Sequence, residues 1–566
     1  MFLKSLIISN GPEIIRDIEF RKGLNLIVDE TECHGRKSGN NVGKTTVLKL
    51  VDYCLGGKSD SILKDKEFRN SNRQVEKFLT SENILITMIL VKDIDDPESL
   101  RITVKRNFKQ RGEKIQEIDG TNYNNIKEFN KVLGEKIFGL TGKKPTFRQA
   151  ISKNIRIDEN SLKNVVKVLH GSTTGIEYEA LYLFWFGINV PGICDKKILC
   201  DQIRLEEKIR KHLEENGNID YITQCLITIE SDIEKIDAQL NSISPMGDYH
   251  ERLKILNGIN NGINSLKTEI SELELRKGLI EESIAVFDSE KADIDKSEVE
   301  FIYMQAKSLI PEIQKTFDET IKFHNEMLEN RKKYVKKDLP QINKKIDGCN
   351  SLLQNLLKEK KQLADSLYIK NSEKTIDVLI KQSISLHEQK GHLEETRDLI
   401  LKSLERQKEC EGRLAPVNSC IQSKYSIFQE RIAKFNSYFT DIYKEIYDDE
   451  ETFILSSSND GDSISLDIRS TQGNPGTGKK KSQVAAFDLA YIQFAENAGI
   501  PCLHFILYDQ VENIHGNQLV NLLLKVVDRV KCQYIIPVLK DKLPDEIKER
   551  SYQCLKLSQE DKLFKI

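Results

Sequence analysis

None of the eleven cysteines of this chain stands in a C-x-x-C pair, so the sequence offers neither a zinc knuckle nor a disulfide framework. Tryptophan is almost missing, with Trp185 alone, and aromatic residues make up only 7% of the chain. Net charge is scarce as well. The 85 basic and 88 acidic side chains leave −3, so overall charge points to neither nucleic acid nor membrane, and any DNA contact has to come from a local patch. No apolar run can span a bilayer: the strongest, Ala180 to Val190, is short and is closed by Pro191. The N-terminus lacks the basic, apolar and small-residue design of a signal peptide. The expectation is a soluble, cytoplasmic protein without a membrane partner. What the chain does have is charge of both signs, 31% of its residues, which suits long solvated helices. Its 566 residues exceed one core, and length alone suggests roughly three to four domains.

The most informative segment is Ser38, Gly39, Asn40, Asn41, Val42, Gly43, Lys44, Thr45 and Thr46. It follows an apolar run, Leu24 to Val28, that reads as a buried strand, and precedes Val47 to Val51, which reads as the start of a helix. A strand, a glycine-bearing loop and a helix N-terminus in that order form a phosphate cradle. Backbone N–H groups face the anion, Lys44 reaches the β and γ oxygens, and Thr45 ligates Mg2+. Ser38 stands where the usual pattern has its first glycine, with Gly39 one step later. The reading is nucleotide binding, with Mg2+ held at Thr45.

Strand-like runs recur at Phe2–Ser9, Ile84–Val91 and Leu100–Phe108, and again at 452–455, 463–468, His504–Tyr508 and Tyr534–Leu539. Between them, from about 198 to 425, the pattern is helical. Ile219, Ile222, Leu226, Ile229, Ile233, Ile236, Leu240 and Ile243 alternate three- and four-residue spacings, and further heptads run from Ile259 to Ile284 and from Ile342 to Leu367. More than three clean heptads argue for a coiled coil. Breaks near 244–248 and 366–374 lie nearly equidistant from residue 309, as an elbow would if the chain turned back at a tip near 289–311. Straight, about 90 residues per side give an arm of roughly 130 Å. Pro340 is expected to kink the returning segment. The alternative is a bundle of separate helical hairpins. The expected organisation is therefore α/β: an N-lobe at 1–197, an antiparallel arm at 198–425 and a C-lobe at 426–566.

A head split in this way needs its magnesium-binding acid in the second segment. Leu503 to Tyr508 is an apolar strand that ends in Asp509, which places a carboxylate for the metal held by Thr45. Upstream, Gly476, Thr477, Gly478 and Lys479 lead into a helix, and Lys480 stands where a second phosphate loop would need a hydroxyl.

These features together resemble the SMC-like branch of ABC-type ATPases, and more narrowly the SMC-like subunit of three-component Menshen- or Lamassu-type bacterial defence systems. The segments that carry the resemblance are SGNNVGKTT at 38–46, TFRQAISKNIR at 146–156, FHNEMLENRKKY at 323–334, GTGKKKSQVAAFDLAYIQFA at 476–495 and LYDQVENI at 507–514. The resemblance implies a split head, an ATP hydrolase and a homodimer that sandwiches two ATP molecules between heads. In it Gly476, Thr477, Gly478 and Lys479 would contact the nucleotide of the second subunit, and Gln149 would sense magnesium. It also implies double-stranded DNA, and accessory and effector subunits of the same operon, as partners in antiviral defence. Three departures bear on turnover. Gln510 occupies the place of the glutamate that polarises the attacking water, with Glu512 two residues on as a substitute. Lys479 replaces a signature glycine, and Lys540-Asp541 stands where a switch histidine is expected. An amide orients water without accepting its proton, so slow, DNA- or partner-regulated hydrolysis is expected.

Two basic clusters are candidates for a nucleic-acid backbone: Lys105, Arg106, Lys109, Arg111 and Lys114, and Arg331, Lys332, Lys333, Lys336 and Lys337. Two readings compete with the DNA-sensing ATPase. One is an ATP-locked structural scaffold, the other a DNA double-strand-break repair motor.

Overall fold

The computed structural model describes residues 1–31, 42–63, 73–109, 113–142, 144–171, 173–243, 247–292, 332, 336, 339–367, 374–447, 453–459, 463–470, 477–510, 520–540, 544, 546–547 and 551–566. They form two compact units: Met1–Lys197 with Val417–Ile566, and Ile198–Pro416.

Among the described residues, every strand lies in the first unit. In chain order they are β1 (Phe2–Asn10), β2 (Glu13–Glu19), β3 (Gly23–Asp29), β4 (Ile84–Val91), β5 (Arg101–Asn107), β6 (Gln116–Ile118), β7 (Thr121–Asn122), β8 (Ile155–Arg156), β9 (Phe453–Asn459), β10 (Ile464–Ser470), β11 (Phe505–Tyr508), β12 (Gln533–Leu539) and β13 (Tyr552–Leu557). A six-stranded sheet, β2-β1-β4-β5-β6-β7, is antiparallel throughout. A five-stranded sheet, β13-β3-β12-β11-β8, is parallel throughout. In it β3 lies between two strands from the far end of the chain, so the segments before 197 and after 417 share one sheet. Parallel sheets are covered on both faces, which demands a nearly continuous apolar strand. Every residue of β3 is buried. Its alternation divides two cores: Leu24, Leu26 and Val28 face one, and Ile27 faces the other.

Helices α1 (Lys44–Cys54), α2 (Ile126–Phe138), α3 (Phe147–Ala150) and α4 (Gly175–Trp185) belong to this unit. The run from Ala180 to Trp185 is not a membrane element. Trp185 and Phe186 are fully buried in the first core, where Phe186 meets Phe428 and Phe435 edge-on. Among the described residues no helix is long and apolar enough to cross a membrane.

Along the chain through the second unit run α5 (Ile193–Leu213), α6 (Ile219–Ile243), α7 (Gly247–Ala292), α8 (Leu339–Leu367) and α9 (Lys374–Tyr447). The heptads are helices, as their period dictates, but a straight arm is not what they build. Glu230 of α6 pairs with Lys390 of α9 at 2.7 Å, and Ile222 and Leu226 pack on Ile400, so α6 and α9 run antiparallel. Asn264 of α7 lies against Gly391, and Glu272 meets Arg406 at 2.7 Å, so α7 runs parallel to α9. The chain has therefore reversed between α6 and α7, and Arg276 comes back to Glu206 of α5 at 3.2 Å. The sequence breaks fall on 244–246, between α6 and α7, and on 368–373, between α8 and α9, and these segments lie outside the described residues. The arm is doubled on itself as a bundle. Pro340 does not kink it. Pro340 is the second residue of α8, in the first turn, where a missing N–H costs no helical hydrogen bond. Most of the expected tip, 293–311, lies outside the described residues.

Candidate nucleotide-binding site

The site is built at the carboxyl ends of the parallel strands, where open α/β sheets collect ligands. β3 ends at Asp29 and α1 begins at Lys44. Gly43 caps the helix with φ +103°, and a Cβ there would meet Leu563 Cβ at 2.7 Å, so glycine is required on both counts. No side chain caps α1, and its first turn carries no acid. Its N-terminal N–H groups and dipole are thus left for an anion. Val47, Leu48, Leu50 and Val51 bury the opposite face and fix the helix on the sheet.

Thr45 donates its hydroxyl to Asp509 Oδ1 at 3.4 Å, although 464 residues separate the two. Asp509 follows β11, and its N–H is held by the carbonyl of Arg156 in β8 at 2.9 Å. A hydroxyl and a carboxylate at this separation suit Mg2+, which takes one or two protein oxygens and keeps phosphate and water for the rest. Lys44 Nζ lies 2.9 Å from Asp29 Oδ2, whose side chain has no exposure. Gln510 has left-handed backbone, φ +61°, and its N–H reaches Asp509 Oδ1 at 3.1 Å.

Val42, Gly43, Lys44, Thr45 and Thr46 are therefore placed with Asp509 and Gln510. Ser38, Gly39, Asn40, Asn41, Glu512 and Gly476 lie outside the described residues. Thr477, Gly478 and Lys479 form the first turn of α10 (Thr477–Asn497). Gln149 is engaged elsewhere: it closes a capping box on α3, its side-chain oxygen accepting the Thr146 N–H at 2.9 Å. Lys540, at the expected switch position, follows β12 and approaches Glu30 at 3.6 Å, with Lys556 on the same carboxylate at 3.3 Å.

Two residues of this region were not found by sequence reasoning. Asp29 carries the same signal that located Asp509, an apolar strand ending in an acid, and that signal extends to Leu24–Val28. Arg156 had no signal. Its five guanidinium N–H groups are all engaged, two by Asp488 of α10 at 2.7 and 2.6 Å and the rest by the carbonyls of Ser161, Asn164 and Val165.

In the first basic cluster one arginine is buried and two lysines are ion-paired. Arg106 is buried, its guanidinium 3.7 Å over the Tyr53 ring. Lys105 pairs with Glu117 at 3.0 Å and Lys109 with Glu113 at 2.9 Å. Burial holds Lys114 below its ordinary pKa, and Arg106 beside it pushes the same way. Arg111, Arg331, Lys333 and Lys337 lie outside the described residues. Among those described, no group of three or more His, Cys, Asp or Glu is arranged to hold a metal ion.

Residues 442–566 match the family described as "Uncharacterised protein conserved in bacteria (DUF2326)". Over 488 residues the chain is 21% identical to the uncharacterized protein YydD of Bacillus subtilis (strain 168), covering 79% of this chain and 76% of that one. Among solved structures it is similar to the Smc head domain with a coiled coil and joint from Pyrococcus yayanosii, at 15% identity and TM-score 0.39, over 96% of this chain and 93% of that one. It is also similar to the recombination mediator protein RecF, at 10% identity and TM-score 0.29, over 96% and 94% of the two chains.

Proposed function

We propose that the chain is an SMC-like, ABC-type ATPase, its head formed by residues 1–197 and 426–566 and its arm by 198–425. The observation that carries this reading is the meeting of Lys44 and Thr45, at the start of α1, with Asp29 and Asp509, at the ends of two parallel strands. The loop from Ser38 to Thr46 and the open N-terminus of α1 cradle the phosphates, and Lys44 neutralises the β and γ oxygens. Thr45 and Asp509 hold Mg2+, which when bound draws charge from the β–γ bridge. Gln510 orients the attacking water without taking its proton, and Glu512 is the candidate base. A lost general base typically costs about 10²–10⁴ in rate, so turnover is slow.

Completion of the site comes from a second copy, whose Gly476, Thr477, Gly478 and Lys479 present the N-terminus of α10 to the γ-phosphate. The ATP-closed homodimer holds double-stranded DNA and controls accessory and effector subunits, in defence against phage or plasmid. This part rests on the motif segments between 38 and 514; on the β5 hairpin Arg106 is buried, Lys105 and Lys109 are ion-paired and Lys114 is exposed.

The test is steady-state ATP hydrolysis with and without linear double-stranded DNA, with Lys44→Ala as control. DNA-stimulated turnover that vanishes in Lys44→Ala is expected. ATP binding unaffected by Lys44→Ala would overturn the site. Gln510 itself favours a second reading, an ATP-locked scaffold, for which the expected result is tight Lys44-dependent binding with no turnover. If Glu512 is the base, Glu512→Gln abolishes hydrolysis and Gln510→Ala leaves some.

A further inference from the structure

We propose that Asp29 is a positioning residue that holds Lys44 while the site is empty, so that a polyphosphate binds only by taking Lys44 from a buried carboxylate. This rests on the nucleotide-site reading above and adds a control to it.

Asp29 is fixed from both sides of the sheet. β3 is the second strand of the parallel sheet, between β13 and β12, and Asp29 registers with Leu539 of β12 and Leu557 of β13. Its side chain is wholly buried, and its two oxygens have separate duties. Oδ1 accepts the Thr31 N–H at 2.9 Å, which turns the chain out of the strand, and Oδ2 takes Lys44 Nζ at 2.9 Å. A buried carboxylate needs a partner, and a charge-assisted bond to an ammonium is among the stronger ones available. Lys44 is itself only 16% exposed in its side chain, so the ion pair is shielded from the solvent that weakens surface pairs.

An arriving phosphate chain meets two effects of opposite sign. The N-terminus of α1 and Lys44 attract it. Asp29 competes for Lys44 and repels the phosphate across the low-dielectric base of the loop. Asp29 therefore lowers the affinity of the site for phosphate twice, by holding Lys44 and by repelling the anion. The consequence is a lysine stored on a buried carboxylate until a ligand of sufficient affinity takes it.

Asp29→Asn separates the two duties, since the amide oxygen still accepts the Thr31 N–H while the charge is gone. Calorimetric titration with ATPγS and Mg2+ is expected to give about tenfold tighter binding for Asp29→Asn than for the native chain, a difference of about 1.4 kcal/mol. In the absence of nucleotide, amine acetylation followed by mass spectrometry is expected to label Lys44 faster in Asp29→Asn. Unfolding alone would also speed labelling of Lys44, but it would not tighten ATPγS binding, so the two results are required together. Asp29→Ser, which also keeps an acceptor for Thr31, provides the same test if Asp29→Asn unfolds. Unchanged or weaker ATPγS binding in a folded variant, with Lys44 labelled no faster, overturns the proposal. If Lys44→Ala leaves ATPγS binding intact, the nucleotide-site reading itself fails, and that result is distinct from either outcome at Asp29.

Discussion

The head and the arm both bury polar groups where one chain segment meets another, and they treat them differently. In the head, Arg156 from the first segment grips Asp488 from the last with every N–H used. Gln533 of β12, fully buried, accepts the Leu3 N–H at 2.8 Å and donates to the Leu3 carbonyl at 2.7 Å. In the arm, α7 has an apolar stripe, Leu256, Ile263 and Ile270, and packs along α8, where Ile346 and Cys349 are buried. Beside it on α7, Asn260 and Asn264 carry buried nitrogens without a hydrogen-bond partner among the described residues. An unmade buried hydrogen bond costs about 1–3 kcal/mol, whereas a satisfied one contributes about 1. The head seam is thus specified by bonds that nothing else in the molecule can replace. The doubled arm keeps a strong α7–α8 pair and a costlier polar contact between α7 and the rest of the bundle.

The largest effect that would break this comparison is expected at Asp488. Asp488→Ala strands the Arg156 guanidinium in the core, and breaking a buried pair costs about 3–5 kcal/mol. Denaturant unfolding followed by Trp185 fluorescence measures it, because the single tryptophan lies in the head core. A loss below about 1 kcal/mol would mean that the five-bond clamp is not the tie it looks to be. Next comes Gln533→Leu, which leaves the Leu3 N–H and carbonyl unbonded in the sheet and is expected to cost about 1–3 kcal/mol by the same signal. The opposite sign is expected from the same chemistry in the arm. Asn260→Leu removes a buried, unpartnered amide and is expected to stabilise the bundle by about 1 kcal/mol, read from helical circular dichroism. If Asn260→Leu destabilises instead, the amide has a partner that a lone chain does not contain, and the contrast between the two regions narrows.

How much of this was legible follows the same division. The strands of the parallel sheet and the phosphate loop are local patterns: an apolar run of five to seven residues, a glycine that must be left-handed, a lysine and threonine at a helix start. Thr45 and Asp509 could be paired because each end of the motif has its own signature. Arg156 could not, since a single arginine in a polar stretch looks the same whether it is solvated or clamped. For the basic hairpin the limit is the converse: charge is read from sequence, burial is not, and Arg106 is stacked on Tyr53 beneath the surface. In the arm the heptad period fixed helices and the α7–α8 seam, but the same period fits a straight arm and a doubled one. The distinguishing residues are off the seam. Asn260 and Asn264, four apart, and Gly391, which leaves room for Asn264, mark a second packed face that a heptad count does not read.

The smallest expected effect is also the one with opposite signs in the two regions, and it is set by pH. In the head, burial of Glu177 pushes its carboxyl upward, but Lys144 at 2.8 Å, Lys197 at 3.1 Å and the Thr174 N–H outweigh that and hold it down at about 2, against an ordinary 4.5. A depressed carboxyl contributes stability that is present above the unfolded value and is lost as pH falls from about 4.5 toward about 2. In the arm, burial pushes the Glu395 carboxyl above its ordinary value, more than the Thr268 hydrogen bond, His392 and Lys267 draw it down. A raised carboxyl binds its proton more tightly in the folded state, so its cost at neutral pH is relieved on acidification. Unfolding of the native chain from pH 7 down to 3 is therefore expected to show the head weakening by Trp185 fluorescence while the Glu395 contribution to the arm moves the other way. Glu177→Gln flattens the acid limb of the head, and Glu395→Gln stabilises the arm most at pH 7 and least at low pH. Equal pH dependence of Glu395→Gln and the native arm would show that the polar face of α7 is hydrated, and that the two seams differ in geometry without differing in cost.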